Sequence, residues 1–179
     1  MQKQKTRIIV IAVSIVITLA ILLAGYTSYN KYIIQKPLLN ALEDTSFVNE
    51  VRLDKEGNIY QITIEMNKVD NLQTEFAKLD EITATHLGSQ KYNLKISDAR
   101  DQQLADFYSQ LQPFIYEALA KDNYIWLNDE ISRQIEDMYK NLDYKFFIDA
   151  EKIYLQFDNG RETLYEIIPR ELSNQEVQV

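Results

Sequence analysis

IIVIAVSIVITLAILLAG, residues 8–25, decides how the rest of the chain is read: it is eighteen residues without a charge, preceded by Lys3, Lys5 and Arg7. At about 1.5 Å per residue a helix of this length covers about 27 Å, against a hydrocarbon core of about 30 Å. Six Ile, three Val and three Leu fill the run. Each favours insertion by about 0.3–0.6 kcal/mol near a helix centre, and together they reach about 5 kcal/mol. Ser14 and Thr18 do not offset this, because a hydroxyl bonds back to a carbonyl one turn earlier. The pattern predicts a transmembrane helix over 8–25 in a single-pass protein.

The flanks predict its orientation. Residues 1–7 carry three positive charges and no negative one, and clustered Lys and Arg stay on the cytoplasmic side. Lys3, Lys5 and Arg7 are therefore the topology determinants, with a cytoplasmic tail at 1–7 and the bulk of the chain extracytoplasmic. Lys31 and Lys36 oppose this, but they are fewer and are followed by Glu43 and Asp44. A cleaved signal peptide is the competing reading. Its apolar region usually spans about 7–15 residues before a small-x-small site, whereas Leu22-Leu23-Ala24 is a poor site, so an uncleaved signal-anchor is preferred. Tyr26, Tyr29 and Tyr32 follow the run as an interfacial aromatic belt, and Ala12, Ala20 and Ala24 form a small-residue stripe of the kind that permits helix association.

All 27 acidic residues and 16 of the 19 basic ones lie beyond Gly25, a net charge of −11. Such a balance argues against a nucleic-acid partner and against electrostatic attraction to anionic lipid. The chain contains no cysteine, which removes disulfides, thiolate metal sites, thiol catalysis and lipoprotein processing. A single His86 leaves no multi-histidine metal centre, and no run of carboxylates has calcium-loop spacing. There is no glycine-rich phosphate loop and no G-x-S-x-G. No catalytic, cofactor-binding or metal-binding residues, and no cofactor, are assigned.

About 150 residues beyond the span suffice for one domain with a real core. The expected organisation is a juxtamembrane stalk over 26–45, broken or kinked by Pro37, an α+β domain over 46–172, and a frayed polar tail over 173–179. Strands are predicted at 49–54 and 59–66, with a four-residue loop pairing Val51 with Ile62 and Leu53 with Tyr60. A helix follows over 70–87, with Asp70 and Gln73 as its capping box, then a strand at 92–96. The longest helical pattern opens with Asp98 as N-cap and Asp101 three residues later, and Pro113 inside it predicts a kink or two abutting helices. A further helix starts near Asn128, with Ile131, Ile135, Met138 and Leu142 on its core face. Strands at 144–148, 152–157 and 162–168 end the domain. A three-residue joint at Asp158-Asn159-Gly160 sets Ile153, Leu155 and Phe157 on one face with Thr163, Tyr165 and Ile167, and Lys152 opposite Glu166. The order is β-β-α-β-α-α-β-β-β, with helices on one largely antiparallel sheet.

Among polar groups, Asp98, Arg100 and Asp101 resemble paired carboxylates beside a cation, as acid–base chemistry requires, but helix capping accounts for both acids. Asp129-Glu130 and Glu136-Asp137 read as solvated helix positions, and His86 as a helix C-terminal residue favoured by the dipole. Tyr124, Ile125 and Trp126 fall between two helices and are the candidate partner contact. The expectation is a non-catalytic interaction domain of the cell envelope that meets another envelope protein or a second copy. The alternatives are an extracytoplasmic ligand sensor working through a second membrane partner and, third, a carboxylate-dependent enzyme.

Overall fold

The computed structural model describes residues 2–139 and 141–171. The expected tail at 173–179 lies outside the described residues, as do the side chains of Lys3, Lys5, Arg7 and Met138.

Helix α1 (Gln2–Tyr29) carries the apolar run, and its described side chains are exposed. Val13, Ile15, Val16, Ile17, Leu19, Ile21, Leu22 and Leu23 are all more than half exposed. Among the described residues, the continuous helical path Val13–Glu43, which α1 begins, is the one long and apolar enough to cross a membrane or serve as a signal anchor. Thr18 bonds back to the Ser14 carbonyl at 2.9 Å, which is how the run tolerates a hydroxyl.

Pro37 does not break the helical path. The chain widens into a π-helical turn, Asn30–Gln35, and resumes as α2 (Lys36–Glu43) with Pro37 in its first turn. The Lys36 N–H reaches back five residues to the Lys31 carbonyl. This loosens the ladder just where the proline ring would collide with the Ile33 carbonyl and where proline itself has no N–H to give. Leu38 and Leu42 of α2 are fully buried, and Ile34 and Leu39 pack beside them. From Ile34 onward the segment expected as a stalk is thus built into the domain core.

The fold is α+β, but its strands form two three-stranded sheets rather than one. In the first, β1 (Val48–Glu56) pairs antiparallel with β2 (Ile59–Met66). β2 then pairs parallel with β3 (Lys91–Ser97), which the chain reaches through the crossover helix α3 (Leu72–Leu87). The second sheet is antiparallel, β4 (Asp143–Ile148), β5 (Lys152–Asp158) and β6 (Thr163–Pro169). Two helices, α4 (Gln102–Lys121) and α5 (Tyr124–Met138), connect the sheets and cover one face of the second. The element order therefore agrees with expectation only in part. It runs β-β-α-β-α-α-β-β-β from Val48 onward, but helix continues for a further segment ahead of it and the sheet divides.

Both hairpin registers differ from those expected. At the first, Val51 pairs with Ile64 and Leu53 with Ile62, because Gly57 at φ +60° lets the chain reverse in two residues, Gly57-Asn58. The inward face is unchanged, since the shift is an even number of residues. At the second, Phe157 pairs with Leu164, Leu155 with Glu166 and Ile153 with Ile168 across the four residues 159–162. Thr163, Tyr165 and Ile167 instead share a face with Asp158, Gln156 and Tyr154, and Lys152 meets Pro169.

The reason is burial. β5 is the central strand, and its residues from Ile153 to Asp158 are buried on both faces. Ile153, Leu155 and Phe157 enter the core beneath α4 and α5, while Tyr154 enters the core shared with α2, α3 and the first sheet. Its partner β6, TLYEIIP, has Leu164 and Ile168 on one face and Tyr165 and Ile167 on the other, so alternation gives no purchase on its register.

Three helix starts also shift. Asn71, not Asp70, caps α3, accepting from Thr74 N–H at 2.9 Å. Asp101, not Asp98, caps α4, accepting from Leu104 N–H at 3.0 Å. α5 begins at Tyr124 rather than near Asn128, capped by Asn123. α4 passes through Pro113 as one helix. Ser109 and Pro113 are both exposed, so the carbonyl that loses its partner lies on the solvent side.

Candidate functional site

Three places in the molecule hold side chains beyond what the core needs. The first is the opening turn of α5. Because the helix starts at Tyr124, the triplet Tyr124-Ile125-Trp126 is not a connector but a helical turn that splays its three side chains apart. Tyr124 lies under the Arg170 guanidinium, 4.7 Å from ring centroid, and Arg170 is itself bonded to Asp122 at 3.2 Å and to the Asp149 carbonyl at 2.8 Å. Trp126 leans on Phe114 of α4 with centroids 6.1 Å apart. Ile125 touches neither group and is 80% exposed. The expected partner contact is therefore one free aliphatic side chain flanked by two half-buried rings.

The second is the joint between the sheets. Asp98, just past β3, has a side chain only 5% exposed and accepts from Arg100 Nε at 2.8 Å and Nη2 at 2.7 Å. Its Oδ2 also accepts from the Tyr165 N–H of β6 at 2.7 Å. Arg100 reaches on to Glu166 at 2.8 Å and lies over the Tyr108 ring of α4 at 5.6 Å. Burial works against the Arg100 charge, but Asp98 and Glu166 outweigh it and hold its pKa above the ordinary value. Burial, aided by Glu166, likewise raises the Tyr108 hydroxyl. Asp101 stands apart in a different role, its other oxygen accepting from Asn159 at 2.8 Å. Its carboxyl is lowered chiefly by the Leu104 N–H. So the structure does not join Asp98, Arg100 and Asp101 as one acid–base group: Asp98 and Arg100 latch β3 to β6, and Asp101 caps a helix.

The third is a cleft of about 810 Å³ that opens from this latch. β3 lines one wall from Tyr92 to Ile96, β6 lines the other with Tyr165, Glu166 and Ile167, and Phe76 and Asp80 of α3 close one side. Tyr92 donates to Asp80 at 2.8 Å. Burial and that carboxylate push the Tyr92 hydroxyl up to about 12. Sequence reasoning missed this cleft and its latch. The available signal was Glu166, a lone charge inside the apolar strand TLYEIIP, which demands a cationic partner from elsewhere in the chain.

The remaining polar candidates have local partners. His86 is exposed in the last turn of α3, its Nδ1 2.9 Å from the Ile82 carbonyl. Glu136 and Asp137 are exposed, as expected. Glu130 is not: it is 3% exposed, paired with Arg133 and accepting from Gln134 at 2.9 Å. The earlier start of α5 turns it between the core positions Leu127 and Ile131. Among the described residues no group of three or more acidic or histidine side chains is arranged to hold a metal ion. No family model, curated protein or solved structure matches this chain.

Proposed function

We propose that this is a single-pass, signal-anchored protein of the cell envelope whose extracytoplasmic α+β domain binds a partner protein and performs no catalysis. The N-terminal run supports the anchor, and the basic residues Lys3, Lys5 and Arg7 support a cytoplasmic N-terminus. Partner binding is carried by one observation, the 80% exposure of Ile125 beside Tyr124 and Trp126. Enclosing an isoleucine side chain stabilises a complex by about 1.5–3 kcal/mol, and the half-buried rings on either side, held by Arg170 and Phe114, add amphipathic contact area. The partner is another envelope protein or a second copy of this chain.

A photoreactive amino acid at Ile125, in the full chain in its own membrane, tests this. A discrete heavier adduct is expected, weakened by Trp126→Ala and absent when the probe stands at Gln112. A chain that always runs alone overturns the reading. The cleft favours a second reading, an extracytoplasmic ligand sensor acting through a membrane partner. Its test is whether small polar ligands protect cysteines introduced at Asn93 and Lys95 from alkylation.

A further inference from the structure

We infer that the β1–β2 hairpin tip, Glu56-Gly57-Asn58, rests in the phospholipid headgroup layer of the bilayer that α1 crosses, with Lys55 and Lys91 facing lipid phosphates. The inference rests on reading α1 as the anchor. It says that the domain stands on the membrane surface rather than swinging above it.

Two independent lengths lead there. The chain climbs away from the apolar run through the π turn and α2, turns at 44–47, and comes back along β1, which packs on α2. From Tyr26 to Glu43 the helical path rises about 26 Å. β1 has nine residues, Val48 to Glu56, and strand of that length returns about 26 Å at 3.3 Å per residue. The end of β1 is thus brought level with Tyr26, the first residue after the apolar run.

Side-chain contacts fix the same level directly. The Tyr60 hydroxyl, on a fully buried ring, donates to Asn30 Oδ1 at 2.5 Å. Lys55, paired with Tyr60 across the hairpin, gives a hydrogen bond to that hydroxyl at 3.4 Å and interacts with the Tyr26 hydroxyl as well. Gly57 and Asn58 lie two to three residues further toward the membrane, about 7 Å beyond Tyr60, which is about the level of Gly25. The parallel partner strand brings a second turn to this end, because Lys91 pairs with Ile59, placing Gly88, Ser89 and Gln90 beside the tip.

The chemistry suits a headgroup layer. Glu56, Gly57, Asn58, Gly88 and Ser89 are exposed, and none is apolar. Lys31, Lys55 and Lys91 stand at this pole, against Asp54 and Glu56. The domain as a whole is acidic, so long-range attraction does not recruit it. The covalent tether does, by holding the pole at high effective concentration against the surface, where each cation near anionic lipid is worth about 1 kcal/mol. Tyr26, Tyr29 and Tyr32, each more than half exposed, complete the layer with rings suited to the interface.

The chain has no cysteine, so single cysteines report cleanly. Asn58→Cys, Ser89→Cys and Asn159→Cys full-length chains, each carrying one fluorophore, are reconstituted into phosphatidylcholine vesicles containing phosphatidylglycerol and a headgroup-attached nitroxide quencher. Asn159 is the distal control, since its loop is tied through the Lys68–Asp158 ion pair to the far end of β2. Labels at 58 and 89 are expected to lose most of their emission and the label at 159 very little. Chain that floats with the vesicles but shows equal quenching at 58, 89 and 159 overturns the docking while leaving the anchor intact. Chain that does not float with the vesicles overturns both.

Discussion

Replacing Asp98 by alanine should unlatch the two sheets, and the cost follows from its contacts. The carboxylate is 5% exposed and accepts three hydrogen bonds, two from Arg100 and one from the Tyr165 N–H. Losing the acceptor strands the Tyr165 N–H at a strand edge, a penalty of about 1–3 kcal/mol. Removing one partner of a buried ion pair costs about 3–5 kcal/mol, but Arg100 is 30% exposed and keeps Glu166 at 2.8 Å, which places this pair at the low end. The two penalties overlap, so the expected loss for Asp98→Ala is about 3 kcal/mol, lowering Tm by about 6–12 °C for a chain of this size. Asp98→Asn retains one acceptor oxygen and should lose less, about 2 kcal/mol. Thermal unfolding of the full chain in detergent micelles, followed by circular dichroism, measures both. The exposed Asp106→Ala serves as control and should stay within about 0.5 kcal/mol. An Asp98→Ala chain as stable as that control refutes the latch. An Asp98→Asn chain of unchanged stability that had lost its cellular phenotype would return the carboxylate to catalysis.

Leu42→Ala should cost about 2–5 kcal/mol, because Leu42 is fully buried between α3 and the first sheet; a loss under about 1 kcal/mol in the same melt would make α2 a mere spacer. Asp101→Ala removes the α4 cap and should cost about 1 kcal/mol, read by denaturant midpoint. Stability should be level from pH 7 to 5 and fall below about pH 4. Asp101, lowered by the Leu104 N–H, and Asp149 and Asp158, each lowered by hydrogen bonds that outweigh its burial, contribute stability above the ordinary carboxylate pKa and lose it as pH drops through their lowered values. An acid limb that begins well above pH 5 would contradict this. Tyr92, raised to about 12, stabilises the fold fully below the ordinary tyrosine pKa and ceases to as pH climbs through its own value; Tyr92→Phe should make the alkaline limb shallower, leaving the share of Tyr108, Tyr154 and Tyr165, which are raised as well.

The apolar run, the strands from Val48 onward and the amphipathic faces of α3, α4 and α5 were legible because each rests on a local period. Leu72, Phe76 and Leu79 recur at helical spacing and are buried as that spacing requires. What escaped depends on distant parts of the chain. Alternation cannot choose between one sheet and two, and β6, with Leu164 and Ile168 on one face and Tyr165 and Ile167 on the other, leaves its own register open. Asp98 and Asp101 are equally good caps in isolation. Only Arg100 and the β6 backbone, 67 residues away at Tyr165, claim Asp98 and leave the cap to Asp101. Glu166 and Glu130 were readable as anomalies, each a charge among core positions, but their partners were not. Pro37 reads as a breaker, and the π turn that absorbs it has no signature of its own.

The proposed function requires α1 to cross the bilayer with the domain outside. Asn159→Cys in the otherwise cysteine-free full chain, treated in intact cells with a membrane-impermeant maleimide, tests this directly. Labelling of membrane-fraction protein before permeabilisation is the expected result. Labelling only after permeabilisation, or recovery of the protein in the soluble fraction, would contradict it.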